Sequence, residues 1–526
     1  MAASHSIRAT LRHRAFRALL AGGTVYFIGN AMQAMAAAWL MVEVTGSSFL
    51  AALVQTAVFL PMFLFALPAG VLADTTDRRR MILTALTVQA LLVALMALLF
   101  LLGVAGAATL LVLTFLAGCC TAMLSPSWNS GIVDVVPRDE LPQAITAIGI
   151  AYNSARALGP AMAGWVFAQA GAGWVFMLTV AGVLVLLESV RRYPPRPHPP
   201  SRLPAERLWG GMLSALRFAR HSETVLAQLV RVTAYSAAGS ALWALLPVIG
   251  QRQLGLGATG FGFLMGCLGT GAVLAGLSIG RLRARLGLER LVLIGGVVFA
   301  AAMVVAALSN IRTLTYLALV AGGASWMSVM STYNTATQTS VPPWVRARAT
   351  SMHTLCALGA FALGSAFWGA LSDIVGLTAA LLVAALAMAA GLLLARPFPL
   401  RMGGLQEVTQ VPLSQDLFVA HEPDPEAGPV AVEIGYRVQP ERTLAFLEEV
   451  SLLRAPRRRD GATFWRVYRD LSDPSRYVER FIVTSWADYL HQRARGTLAD
   501  QALEAHLLEH LLPGEVPSMQ HYIAER

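Results

Sequence analysis

The chain has 526 residues, 56% of them hydrophobic and 13% charged, with a formal net charge of +10 and a mean hydropathy of +0.59. Soluble domains carry about 25% charged residues, so a water-soluble fold is excluded for most of the chain. All 40 basic residues are arginines; those that make residues 1–395 basic cluster between apolar runs and form no basic face interleaved with aromatics, which argues against nucleic acid as a partner, and without lysine there is also no Walker sequence for ATP drive.

The predicted elements begin with membrane spans, which need about 20 mostly apolar residues each. Twelve segments qualify: 18–41, 48–72, 81–103, 107–125, 144–168, 173–190, 224–248, 258–280, 291–309, 313–333, 350–371 and 376–395. Arg8, Arg12, Arg14 and Arg17 precede the first run like the start of a signal peptide. The run continues past a signal core, so it reads as a retained span. One set of connections holds 21 arginines and the opposite set only Arg252 and Arg312. By the positive-inside rule, both termini and the central loop are cytoplasmic in a cell membrane. The reading is an all-α polytopic fold with 1–190 as one six-helix half, 191–222 as a proline-rich loop and 223–395 as the second half. The halves also echo each other: WNSGIVDVVP from Trp128 matches YNTATQTSVP from Tyr333, pairing Asn129 with Asn334 and Pro137 with Pro342.

Charge changes sign beyond residue 395: residues 1–395 carry a net +14 and 396–526 a net −4. A linker is expected over 396–429 and a cytoplasmic domain over 430–526. VAVEIGYRV alternates as a strand, PERTLAFLEEVSLLR has helical periodicity, and ATFWRVYRDL and YVERFIVTSW read as two strands. A helical region over 486–511 and a last strand MQHYIAE complete βαββαβ, a ferredoxin-like α+β order.

Polar groups at bilayer depth are the functional candidates. Arg156 lies mid-span, flanked at three residues by Asn153 and Gly159, and either lines a central cavity or joins an ion pair. Arg231 is nearer its span's end and fits cavity or anchor equally. Tyr26, Asn30 and Gln33 share one stripe of the first span, suiting a cavity wall or interhelical hydrogen bonds. Gln55, Gln89, Trp243 and Trp326 are weaker candidates. Glu43 and Asp373 stand at span ends as proton entry points or solvated caps, and His353 reads as interfacial. The four cysteines (Cys119, Cys120, Cys267, Cys356) lie in apolar runs without metal spacing. No metal site and no cofactor are expected.

The loop after the second span, Gly70-x-Leu72-Ala73-Asp74-x-x-x-Arg78-Arg79, resembles the signature of the major facilitator superfamily, with Thr75 and Asp77 departing from it. The resemblance implies a gating loop formed by Gly70, Asp74, Arg78 and Arg79. MQAMAAAWLMVEVTGS (from Met32), SPSWNSGIVDVVPRDELPQA (from Ser125) and NSARALGPAMAG (from Asn153) resemble the siderophore-exporter-like secretion branch, typified by enterobactin export. Gly159-Pro160-x-x-x-Gly164 resembles an antiporter motif with its glycine set incomplete, implying close packing and a kink. The implied function is an alternating-access exporter of small molecules, a siderophore-like or amphipathic natural product or a drug, coupled to protons. The tail resembles the dimeric α/β-barrel domains of antibiotic-biosynthesis monooxygenases, implying regulation or homodimerisation. His491, Trp465 and Trp486 form no catalytic constellation, so no enzyme is expected; a membrane-tethered monooxygenase and an importer are the alternatives.

Overall fold

In an apolar solvent every backbone N–H and C=O must pair within its own segment, so long apolar runs fold as helices. The computed structural model describes residues 10–75, 77–133, 135–137, 140–193, 216–411 and 423–525. Six helices come first: α1 (Arg14–Thr45), α2 (Ser48–Thr75), α3 (Arg78–Leu101), α4 (Ala107–Val133), α5 (Leu141–Ala170) and α6 (Ala172–Arg192). After the central loop follow α7 (Glu223–Val248), α8 (Ala258–Leu308), α9 (Arg312–Thr339), α10 (Pro343–Val375) and α11 (Leu377–Leu392). Ten helices among the described residues are long and apolar enough to cross a membrane. α5 is not among the ten; Gln143, Asn153 and Arg156 make it the more polar. α8 runs for 51 residues but breaks at Gly287, whose φ of 73° belongs to the left-handed region. Two expected spans therefore meet there without a loop.

Local chemistry sets several helix ends. Asp77 caps α3, its Oδ1 accepting from the backbone N–H of Arg79 at 2.8 Å and of Arg80 at 3.3 Å. Gly46, at φ 65°, ends α1 and donates its N–H to the Val42 carbonyl.

The contacts divide the chain into two compact units. The first comprises Met1–Arg202, Arg231–Thr332 and Thr354–Arg396. Here α1 packs on α5 and α6, α2 on α4, and α3 on α4 and α6, while α5 lies along α8 and joins the two halves. Phe16, Ile82, Leu86, Leu124 and Trp128 fill the first half's core.

The second unit comprises Leu203–Val230, Tyr333–His353 and Pro397–Arg526. It holds a short helix α12 (Leu405–Val408) and then β1 (Val430–Arg437), α13 (Thr443–Leu452), α14 (Arg454–Asp460), β2 (Phe464–Arg469), β3 (Arg476–Val483), α15 (Trp486–Arg495), α16 (Leu498–Leu508) and β4 (Ser518–Ile523). The sheet is antiparallel in the order β2-β3-β1-β4. Along β1, Val430, Val432, Ile434 and Tyr436 alternate inward onto Phe446, Val450, Trp486 and Tyr489. The region expected as one helical stretch after β3 is two helices, because Thr497 starts α16 with a capping box to Asp500.

Candidate transport site

Arg156 stands 15 residues into the 30-residue α5, about 22 Å along the axis at helical rise. Leu158 (57% exposed), Met162 (47%) and Trp165 (60%) form the helix's outward apolar stripe. At 100° per residue Arg156 points to the opposite side, yet its side chain is exposed. That exposure faces the interior of the bundle. Its guanidinium lies 5.2 Å from the ring centroid of Trp243, on α7 of the other half. Among the described residues it has no carboxylate partner. Tyr152, one turn nearer the start of α5, is 45% exposed and meets Phe27 of α1 edge-on at 5.3 Å.

Trp243 leads into an aromatic cluster. Trp326 of α9 lies 6.1 Å from it and within 5.3 Å of Tyr235 and Phe299. Phe361 of α10 is 5.9 Å from Trp326 and 5.0 Å from Phe59 of α2. The chain of rings thus runs from first-half to second-half helices.

The other sequence candidates are placed as follows. Asn153 is half-buried and donates to the Gly149 carbonyl at 2.8 Å. Tyr26 (3% exposed) donates to Gln89 Oε1 at 3.0 Å, and Gln89 Nε2 donates to Asn30 Oδ1 at 3.1 Å. This buried network ties α1 to α3. Gln33 is also buried. Arg231 is buried and pairs with Glu289 at 2.7 Å. His353 is buried, with Nδ1 3.3 Å from Thr337 Oγ1. A Cβ at Gly159 would stand 2.7 Å from the Ala31 side chain, and one at Gly164 would meet the Ala258 carbonyl at 2.5 Å. Pro160, between them, lies inside α5. Gly70, Asp74 and Arg78 are described in backbone only, within α2 and α3; Arg79 donates to the Arg191 carbonyl at 3.1 Å, within the first half.

At the end of the bundle carrying the α1–α2 turn, the halves are laced together. Asp373 of α10 accepts from Ser47 Oγ at 2.7 Å and from the backbone N–H of Ser48 at 2.9 Å and of Phe49 at 3.2 Å. It meets the positive end of the α2 dipole. Arg252, beyond α7, donates to the Gly46 carbonyl at the negative end of α1. Trp39 stacks on Phe261 at 5.4 Å just inside this seam. Sequence reasoning read Asp373 as an entry point or a cap and missed the partner half. The Gly-Ser-Ser sequence before α2, with its unpaired N–H groups, was the available signal.

In the second unit, Arg495 lies 4.4 Å from the ring centroid of Trp344 and donates to the Asp460 carbonyl at 2.7 Å. Arg459 makes a two-toothed pair with Asp460 (both 2.8 Å), reaches Asp500 at 2.6 Å, and stands over Phe218. Burial pushes the Asp460 carboxyl up to about 6, against the pull of Arg459. A separate cleft of about 520 Å³ is lined by Val450, Arg454, Arg458, Trp465 and Arg466 among others.

A family model described as transmembrane secretion effector matches residues 5–526. The chain belongs to this family of major-facilitator-type transporters. The multidrug efflux pump Tap of Mycolicibacterium fortuitum is 26% identical over 385 residues, covering 71% of this chain and 91% of Tap. Among solved structures, the nucleoside transporter NupG superposes with a TM-score of 0.59 at 14% identity, over 74% of this chain and all of NupG. A bacterial homologue of the lysosomal transporter Spinster, inward-facing and unoccupied, gives 0.58 at 16% identity, over 73% of this chain and 95% of its own. A bacterial homologue of the iron transporter ferroportin, also inward-facing, gives 0.58 at 16% identity, over 72% and 98%. These structural likenesses carry the fold. The protein is a multi-pass membrane transporter.

Proposed function

We propose that this transporter is a secondary active exporter of small amphipathic molecules, such as a siderophore-like natural product or a drug, working by alternating access and driven by proton influx. The observation that carries the reading is the interior-facing Arg156 against Trp243, a mid-bundle contact between opposite halves. Transporters of this plan bind substrate between their halves near the bilayer midplane. The efflux activity in Tap's name gives the direction. The seam formed by Asp373 and Arg252 closes one end of the path and must part when the other end closes. Asn153 and Asn30 flank the path in this reading; Tyr26, Gln33 and Arg231 support it from within the packing. The residues expected as a gating loop fall in helices, Gly70 and Asp74 at the end of α2 and Arg78 and Arg79 at the start of α3, and in this reading they form the gate at the opposite end.

The reading counts twelve spans, taking α8 as two at Gly287 and adding α5 to the helices apolar enough to cross. Both termini are cytoplasmic by the arginine distribution. The tail's strand order supports a ferredoxin-like domain with a regulatory or dimerising role. Proteoliposomes loaded with dye and given an acid-outside gradient test the function. Protein-dependent, gradient-dependent loss of dye is expected, and accumulation would reverse the direction.

A further inference from the structure

We infer that Arg156 makes the transport path selective for soluble aromatic anions, with the acidic group on its guanidinium and the aromatic body stacked against Trp243. The inference rests on the exporter reading above and deepens it. Three observations carry it.

The first is charge balance. Arg156 is the ionisable residue at the midpoint of its span, whereas acids of the helices lie near their ends (Glu43, Glu188, Asp373) or are paired, as Glu289 is with Arg231. A cation entering here would approach an uncompensated positive charge in a medium that screens poorly, whereas an anion would relieve it.

The second is geometry. A guanidinium presents planar, paired donors that match carboxylate, sulfonate or phosphate oxygens. Arg156 is exposed on the interior side of α5, without a carboxylate partner among the described residues, so those donors are available to a ligand.

The third is the wall. The Trp243 indole N–H is itself buried with no hydrogen-bond partner among the described residues, a second donor beside the cation. Trp326 and Phe361 continue the aromatic surface beyond it, and the exposed ring of Tyr152 lies on the same side of α5. Aromatic walls with a few converging polar groups are the usual make-up of a pocket for a flat organic ligand.

The binding test uses the purified full chain in uncharged detergent and equilibrium dialysis. Its probes are 8-anilinonaphthalene-1-sulfonate, an aromatic anion, and ethidium, an aromatic cation. The anion should bind at least tenfold tighter. Arg156→Gln should remove that preference, and Arg156→Lys, which keeps the charge but loses the paired donors, should retain part of it. Equal binding of both probes, or an Arg156→Gln protein that still prefers the anion, would overturn the inference. An anionic lipid headgroup offers the same chemistry. Anion binding that persists with added phosphatidylglycerol supports the soluble ligand, and displacement by stoichiometric lipid overturns it. Because binding is measured without transport, failure of the exporter reading is separable. Charge-selective binding with no efflux sinks the exporter alone, and efflux with charge-blind binding sinks this inference alone.

Discussion

Arg156 and Arg231 are the same residue type in corresponding halves of the bundle, and their surroundings differ in every respect. Arg231 is buried to 1% side-chain exposure, with Glu289 at 2.7 Å. Arg156 is exposed to the interior and lies on an indole ring, with no carboxylate partner among the described residues. A charge removed from water and matched by an opposite charge holds a structure together. One left exposed at bilayer depth is costly unless something uses it. The sequence ranks the two residues by depth, and the structure separates them by partnership.

Breaking the paired side of this comparison should give the largest effect. Glu289→Gln takes the carboxylate away from a buried guanidinium, which typically costs about 3–5 kcal/mol. Arg231→Met should cost less, because the Glu289 side chain it strands is 33% exposed. Thermal unfolding of the purified protein would rank the two, and the reverse order would remove Arg231 as the buried member.

The tail offers a third kind of charge, buried and only partly compensated. Asp460 sits near 6 rather than its ordinary 3.8 because burial outweighs Arg459. The folded tail therefore takes up this proton more readily than the unfolded chain. The contribution of Asp460 to stability grows as pH falls from about 7 to about 4, on the order of 2 kcal/mol. Proteolysis of the tail across that range should show the gain in the native chain, and Asp460→Asn should flatten it. An unchanged slope would locate the titration elsewhere.

Two gate predictions follow at smaller scale. Asp74→Asn should lower transport about tenfold while membrane insertion stays intact; normal turnover would cancel the gate assignment. At the seam, Asp373 is exposed, so losing its charge-assisted bonds should cost only about 1 kcal/mol. That corresponds to about fivefold more opening at that end. Labelling of a cysteine at position 51, where Ala51 is buried just inside this end, by an impermeant thiol reagent, with the four native cysteines replaced, would read it. No change in Asp373→Asn would mean that packing alone holds the seam.

The parts of this architecture legible in sequence were those written in local pattern. Apolar runs located the helices, and alternation in VAVEIGYRV located β1. The break at Gly287 was hidden because GRLRARLG looks like a polar loop yet stays helical up to the glycine. Tyr26 and Gln89 share a hydrogen bond across 63 residues, and Asp373 caps a helix 325 residues away. Such pairings depend on which helices become neighbours, which local periodicity does not encode. The seating of Trp344 and Phe218 against Arg495 and Arg459 was hidden for the same reason.

The contrast between the two arginines can be measured directly by comparing Arg156→Gln with the paired substitution of Arg231 and Glu289 by methionine. Both proteins should insert, since replacing a buried ion pair by apolar residues is often neutral. In 8-anilinonaphthalene-1-sulfonate efflux from proteoliposomes, the paired variant should stay within about threefold of the native chain. Arg156→Gln should lose at least about tenfold. Full efflux by Arg156→Gln alongside an inactive paired variant would contradict the account and move the transport site to the Arg231–Glu289 pair.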